Sequence, residues 1–107
     1  MAQNRELFRI VIDRTGRIHC GAKLLRCLVV NLTDKGFQLQ VEGSFAIGDL
    51  PHLEFPLTER EPLACIVKVM YARPPLIGTV ITSVPSDHQT LLSGFIDEVN
   101  TISLMGY

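Results

Sequence analysis

Lys23-Leu24-Leu25-Arg26-Cys27-Leu28-Val29-Val30-Asn31-Leu32-Thr33 runs into Asp34-Lys35-Gly36, and Phe37-Gln38-Leu39-Gln40-Val41 follows. The first run is long, apolar and rich in β-branched residues, and the last alternates apolar with polar at period two. Asp34-Lys35-Gly36 carries the turn chemistry between them, so the stretch predicts two antiparallel strands. Asn31 and Thr33, two residues apart, share one strand face, with Val30 and Leu32 on the other. Gly36 stands where the chain turns back, a position that suits positive φ and leaves room for a ligand to approach the backbone.

Working outward, Phe8, Ile10 and Ile12 alternate with Arg9, Val11 and Asp13, and Thr15-Gly16 reads as a turn before a return strand at Arg17-Ile18-His19-Cys20. Downstream, Gly43 and Gly48-Asp49 punctuate the approach to a strand over residues 52–57, closed by the polar loop Glu59-Arg60-Glu61-Pro62. Two further strands are expected at residues 63–72 and 77–83, on either side of Pro74-Pro75. The period then changes. Leu91, Leu92, Phe95, Ile96 and Val99 fall at helical spacing, and Ser86 with Gln89 has the spacing of a capping box, which predicts a helix over 86–99. Gly94 inside that helix suggests close packing on the sheet, and a loose tail is expected after Thr101. Six or so short antiparallel strands with regular turns suggest a small closed barrel, since closure removes exposed edges. The fold expected is therefore mainly β, an antiparallel barrel over residues 10–84, with a flexible segment at 1–9 and one C-terminal α-helix, all in a single domain of 107 residues.

Ten basic against eleven acidic side chains give a formal charge of −1, so no global field points to duplex nucleic acid or an anionic membrane surface. A single-strand-binding barrel is disfavoured as well, because five Phe and two Tyr are not interleaved with a basic stripe. No apolar run approaches the roughly 20 residues that span a bilayer, and Met1-Ala2-Gln3-Asn4-Arg5-Glu6 lacks a secretory apolar core, so membrane insertion is not expected and the location is read as cytoplasmic. Cys20, Cys27 and Cys65 show no C-x-x-C spacing and read as buried thiols. His19, His52 and His88 are far apart in the sequence, lack an i, i+4 partner and read as surface residues, so no metal site is expected. Nucleophile-elbow and P-loop signatures are absent, and the chain is not read as an enzyme.

The polar residues that remain form two groups. Arg5 and Arg9 stand four apart at the entrance to the first strand, and residues 31–36 follow 22 residues after Arg9. Arginine offers a planar, permanently charged fork that holds phosphate bidentately, reads the O6 and N7 edge of guanine or stacks on its ring. Asn31 accepts from the N1 or N2 hydrogens of guanine, and Thr33 adds a hydroxyl on the same face. Arg14, Arg17 and Arg26 are secondary sources of positive potential, and Asp34 and Lys35 read equally as turn-exposed charge or as ligand contacts.

Arg5-x-x-x-Arg9 followed after a strand hairpin by Asn31-x-Thr33-x-x-Gly36 resembles the paired R-x-x-x-R and [D/N]-x-S-x-x-G motifs of the PilZ family. Gly78-Thr79-Val80-Ile81 is similar to the family's G-x-x-F final strand, and the closing helix falls where PilZ domains place theirs. Thr33 stands where serine is usual, keeping the hydroxyl and adding a methyl, and Ile81 replaces the aromatic residue. The resemblance implies a six-stranded antiparallel β-barrel with a C-terminal helix, and a receptor for the second messenger cyclic di-GMP, bound on the outer face of the barrel by Arg5, Arg9, Asn31, Thr33 and Gly36. It also implies an effector protein of motility, pilus, exopolysaccharide or regulatory machinery, reached by ordering of the arginine segment. The alternative within the family is a nucleotide-independent interaction module acting on pilus or flagellar machinery.

Overall fold

The computed structural model of the chain describes residues 10–33 and 35–105, with helix side chains described through Val99. Arg5, Arg9 and the rest of residues 1–9 lie outside the described residues, as does Asp34. Six strands, β1 (Ile10–Cys20), β2 (Lys23–Leu32), β3 (Gly36–Val41), β4 (His52–Pro56), β5 (Pro62–Arg73) and β6 (Leu76–Ser83), precede one helix, α1 (Ser86–Met105). All neighbouring strands are antiparallel, in the closed order β1-β2-β3-β6-β5-β4. Closure comes from β1 pairing β4, with Arg17 opposite Glu54, Ile18 opposite Leu53 and His19 opposite His52. The barrel expected from edge avoidance, with the six strands that the resemblance implied, is thus the observed architecture.

The core follows from alternation. Ile18, Val29, Leu39, Leu53, Phe55, Leu63, Val67, Val69 and Ile77 are all nearly or fully buried and come from every strand of the barrel. Each such side chain withdrawn from water stabilises the fold by roughly 1.5–3 kcal/mol before entropy is counted. Phe37 and Phe55 meet edge to face across the interior at 5.4 Å. Thr79 is the polar exception inside, and its hydroxyl donates to the Phe37 carbonyl at 2.9 Å.

Several local expectations are corrected. Thr15-Gly16 is not a turn: β1 continues through it, and the reversal lies at Gly21-Ala22, with Gly21 at φ +62°. Gly16 is there for close approach, since a Cβ on it would stand 2.6 Å from the Glu54 carbonyl and the Phe55 Cβ where β1 crosses β4. The capping box does not form either. Gln89 N donates to Pro85 O at 2.8 Å, which makes Pro85 the cap residue, and the Gln89 side chain turns to Ser93 at 3.1 Å. Gly94 is exposed and a Cβ there meets nothing within 4 Å, so it does not pack on the sheet. The helix also runs past Val99 to Met105 in place of a loose tail, there being no glycine or proline between Phe95 and Met105 to stop it.

The helix is held to the barrel by Leu92 and Ile96, both buried, with Leu91 and Phe95 partly so. One polar contact sets its start. β6 ends at Ser83 opposite Ile66, so Ala64 of β5 lacks a β6 partner, and its N–H donates to His88 Nδ1 at 2.9 Å. His88 is therefore a half-buried strap between α1 and β5, not a surface histidine. His19 and His52 do lie exposed, but strand pairing brings them together, with ring centroids 6.0 Å apart.

Candidate functional site

Asn31, Leu32, Thr33, Lys35 and Gly36 form a hydrogen-bonded corner at the end of β2. The hairpin register shifts between Val29 and Asn31 against Leu39 and Gln38, which leaves Val30 as an extra residue in β2. Such a bulge reverses the parity of the strand. Val29 and Leu32 consequently both face the core, and Asn31 shares the outer face with Gln38; the inward partner expected at Val30 is Val29 instead. Past Leu32, the Thr33 N–H donates to the Gly36 carbonyl at 2.9 Å, and the Thr33 hydroxyl accepts the N–H groups of Lys35 at 3.1 Å and Gly36 at 3.3 Å. The hydroxyl therefore builds the turn, and its own proton is left to donate outward. The Lys35 carbonyl is pinned in turn by the N–H of Ile81 at 2.7 Å.

Gly36 serves a different purpose from the one its turn position suggested. Positive φ occurs among the described glycines only at Gly21 and Gly48. What Gly36 provides is proximity: a Cβ there would collide with the carbonyl oxygen of Thr79 and stand 2.8 Å from the Val80 Cα on β6. The corner is thus packed directly against the β6 backbone.

A row of outward-facing residues crosses four strands beside this corner. Asn31 on β2 pairs with Gln38 on β3, Gln38 with Gly78 on β6, and Gly78 with Tyr71 on β5. A second bulge, at Met70 in β5, is what turns Tyr71 outward after the buried Val69. The Tyr71 ring occupies the space over Gly78, where any Cβ would strike it. Asn31 Nδ2 donates to Gln38 Oε1 at 2.8 Å, and Gln38 Nε2 donates to the Tyr71 hydroxyl at 3.1 Å. Asn31 is only 8% exposed, and with its nitrogen committed its oxygen is the end that remains for a partner. A shallow groove of about 200 Å³ runs along this row, and Lys35 borders it. One step away on the same face, the register carries Gly36 to Val80 and Val80 to exposed Lys68, a second cation.

The chain also enters the barrel here, because Ile10 pairs with Leu32 and Val11 with Asn31. Of the five residues expected to bind ligand, Asn31, Thr33 and Gly36 thus come together, and Arg5 and Arg9 fall outside the described residues. The secondary arginines do not join them. Arg17 is ion-paired with Glu54 at 3.2 Å on the β1–β4 side, Arg26 sits opposite it, and Arg14 Nη1 donates to the Ile12 carbonyl at 2.9 Å. Tyr71 and Lys68 were missed because they reach the site only through the strand order of the closed barrel, and Gln38 because the bulge at Val30 that sets it opposite Asn31 leaves no mark in the sequence. Gly78, a glycine inside an apolar strand, is the one signal of a close approach that pointed toward them.

A larger concavity, about 770 Å³, lies between β1, β4, β5 and the segment Ser83-Val84-Pro85 that leads into α1, and holds the His19–His52 pair and Glu54. None of the described motif residues, Asn31, Thr33 and Gly36, line it. Convergent polar groups mark a binding site better than volume does, so the smaller groove is the candidate. Among the described residues no group of three or more histidine, cysteine or carboxylate side chains is placed to hold a metal ion. Burial pushes the Cys65 thiol up to about 12 and the Cys27 thiol up to about 11, the latter partly offset by a backbone hydrogen bond from Gly16, so neither is poised as a nucleophile.

The family model described as the PilZ domain matches residues 3–98. This chain belongs to the PilZ domain family. No match to a curated protein is found. PilZ domains are ligand-binding adaptors of the cyclic di-GMP receptor family and not enzymes. In this PilZ domain the threonine that replaces the usual serine makes both turn hydrogen bonds, and its added methyl leaves them intact. Ile81, in place of the aromatic residue, packs partly buried against the core. Among the described residues no helix is long and apolar enough to cross a membrane.

Proposed function

We propose that this PilZ domain is a cytoplasmic receptor that binds cyclic di-GMP through Arg5, Arg9, Asn31, Thr33 and Gly36 and relays the signal to an effector protein. The observation that carries the reading is the Asn31 amide, nearly buried at a rigid strand end with its nitrogen bonded inward, beside the point where the arginine-bearing segment joins β1. Asn31 Oδ1 accepts from the N1 and N2 hydrogens of a guanine. The Thr33 proton donates to the same nucleotide, and Gly36, packed against β6, holds the turn that presents it. Arg5 and Arg9 supply the charge that the ligand's two phosphates require, holding phosphate or the O6 and N7 edge. Lys35 and Lys68 add positive potential on the same face. Binding orders residues 1–9 over the groove, and the new surface is what the effector reads.

Calorimetric titration of the purified chain with cyclic di-GMP tests this. Saturable binding is expected, and Arg5→Ala or Arg9→Ala removes a charge-assisted partner worth about 1.5–3 kcal/mol, roughly a 10- to 150-fold loss. Affinity falls with added salt, because exposed charges are screened over about 8 Å at physiological ionic strength. A titration without saturable heat sinks this reading and leaves the nucleotide-independent interaction module in its place.

A further inference from the structure

We propose that the turn between β3 and β4, with the neighbouring length of β5, is a docking surface for a partner protein. Ile47, Leu50 and Met70, gathered around Lys68, take a segment that presents a bulky apolar side chain next to a carboxylate. The inference rests on the part of the functional reading that gives this chain a protein partner, and not on nucleotide binding.

Among the described residues six large apolar side chains stand exposed, and four of them, Ile47, Leu50, Met70 and Tyr71, belong to this one region. Backbone hydrogen bonds bring them together. The Gly48 N–H donates to the Val69 carbonyl at 2.8 Å, the Val69 N–H to the Asp49 carbonyl at 2.9 Å and the Val67 N–H to the Pro51 carbonyl at 3.0 Å. Residues 48–51 thus continue the pairing of β4 with β5 past its last partners, His52 and Ile66, and Leu50 stands across from Lys68. Both side chains are exposed, and the bulge at Met70 sets Met70 and Tyr71 exposed side by side after the buried Val69. Ile47 sits at the tip of a turn closed twice, by the Asp49 N–H on the Ala46 carbonyl at 3.0 Å and the Ala46 N–H on Asp49 Oδ2 at 2.9 Å. Gly48, at φ +98°, supplies the backbone conformation this turn needs. The backbone that presents Ile47 and Leu50 is therefore already ordered, which lowers the cost of binding.

A cluster of exposed apolar side chains marks an interaction surface, and charge decides what fits this one. The register runs from Lys68 to Val80 and from Val80 to Gly36, with Lys35 beside it, so cations line the side toward the groove. The Asp49 carboxylate is engaged within the turn. A carboxylate next to an apolar anchor complements Lys68 between Leu50 and Met70. A second copy of this chain fits less well, because a two-fold contact gathers the lysines of both copies at one interface. The formal charge of −1 gives no general attraction to an anionic membrane. Met70 and Tyr71 also line the groove, so the patch adjoins the surface that forms when residues 1–9 order over it, and the partner reads the two together.

The test selects a displayed random-peptide library on the ligand-free wild-type chain, with Ile47→Ser/Leu50→Ser as counter-selection. Enriched peptides are expected to carry Leu, Phe or Trp beside Asp or Glu. One such peptide, titrated into the labelled chain, should shift the amides of residues 46–50 and 68–71, and should bind Ile47→Ser/Leu50→Ser about tenfold or more weakly. Lys68→Glu should weaken it as well, and exchanging the peptide's carboxylates for lysines should restore binding to Lys68→Glu, a recovery that a misfolded variant does not give. No enrichment, enrichment of basic or purely apolar peptides, or no recovery on charge exchange overturns the proposal. Dimerisation in sedimentation velocity that Ile47→Ser/Leu50→Ser abolishes overturns it in favour of a second copy. Flotation with phosphatidylcholine–phosphatidylglycerol vesicles that the same variant abolishes overturns it in favour of a membrane. Nucleotide titration is scored apart: peptides selected here by a chain that ignores cyclic di-GMP sink the receptor reading alone, and cyclic di-GMP binding without peptide selection sinks the docking surface alone.

Discussion

Replacing Thr33 with valine removes one oxygen and almost nothing else, since the two side chains have nearly the same shape. That oxygen accepts two backbone N–H groups, from Lys35 at 3.1 Å and Gly36 at 3.3 Å. A neutral hydrogen bond is worth about 0.5–1.5 kcal/mol net, and an N–H left unpaired in a buried place costs more. Lys35 is exposed, so water replaces its lost acceptor and little is lost there. Gly36 is buried against β6, and water does not reach its N–H as readily. The sum comes to about 1 kcal/mol, mostly from Gly36, which lowers the melting temperature of a domain this size by about 4–8 °C. Scanning calorimetry on the wild-type, Thr33→Val and Thr33→Ser chains checks it, with Thr33→Ser expected to melt within about 2 °C of wild type because the hydroxyl is kept. If Thr33→Val melts with the wild type, the hydroxyl does not build the turn, and the rigid corner on which the site rests is misdescribed.

Three other outcomes are expected. Gly94→Ala stabilises the chain by about 1 kcal/mol in urea unfolding, since the position is exposed, helical and free of contacts that a Cβ would disturb; destabilisation would mean that α1 packs there after all. His88→Ala costs about 1–2 kcal/mol in the same assay, because the Ala64 N–H is left without its acceptor, while exposed His19→Ala costs little. The cysteines make stability fall in base. An unfolded thiol ionises near 9 and the buried ones near 11 for Cys27 and 12 for Cys65, so between those values the unfolded chain has released protons that the folded chain keeps. Their contribution is whole below pH 9 and lost as pH rises through 11 and 12; a Cys27→Ala/Cys65→Ala variant should show a flatter decline in urea midpoint between pH 9 and 11, and an identical slope refutes the assignment.

Alternation was enough to read the barrel because nearly every strand sends one face into a single core, as Leu53 and Phe55 of β4 or Leu63, Cys65, Val67 and Val69 of β5 do. Gly16 misled for a physical reason: glycine serves a turn and a close crossing equally well, and only the approach of Glu54 and Phe55 tells the two apart. The bulges at Val30 and Met70 were equally hidden, since an extra residue in a strand changes parity without changing composition. Asn31, Thr33 and Gly36 could be located because they lie within six residues of one another around one turn. Gln38 and Tyr71 could not, since they are 33 residues apart in sequence and meet only because β6 inserts between β3 and β5 and carries no side chain at Gly78. The helix start was legible from its apolar spacing, and its end was not, for the residues after Val99 carry neither a breaker nor a clear periodic face.

The most direct test of the receptor reading is a backbone amide spectrum of the isotopically labelled chain recorded during titration with cyclic di-GMP. Saturating shifts are expected at Asn31, Thr33, Lys35, Gly36, Gln38 and Tyr71 and at the start of β1. Absence of saturable shifts, or shifts centred on the His19–His52 groove, would contradict the account.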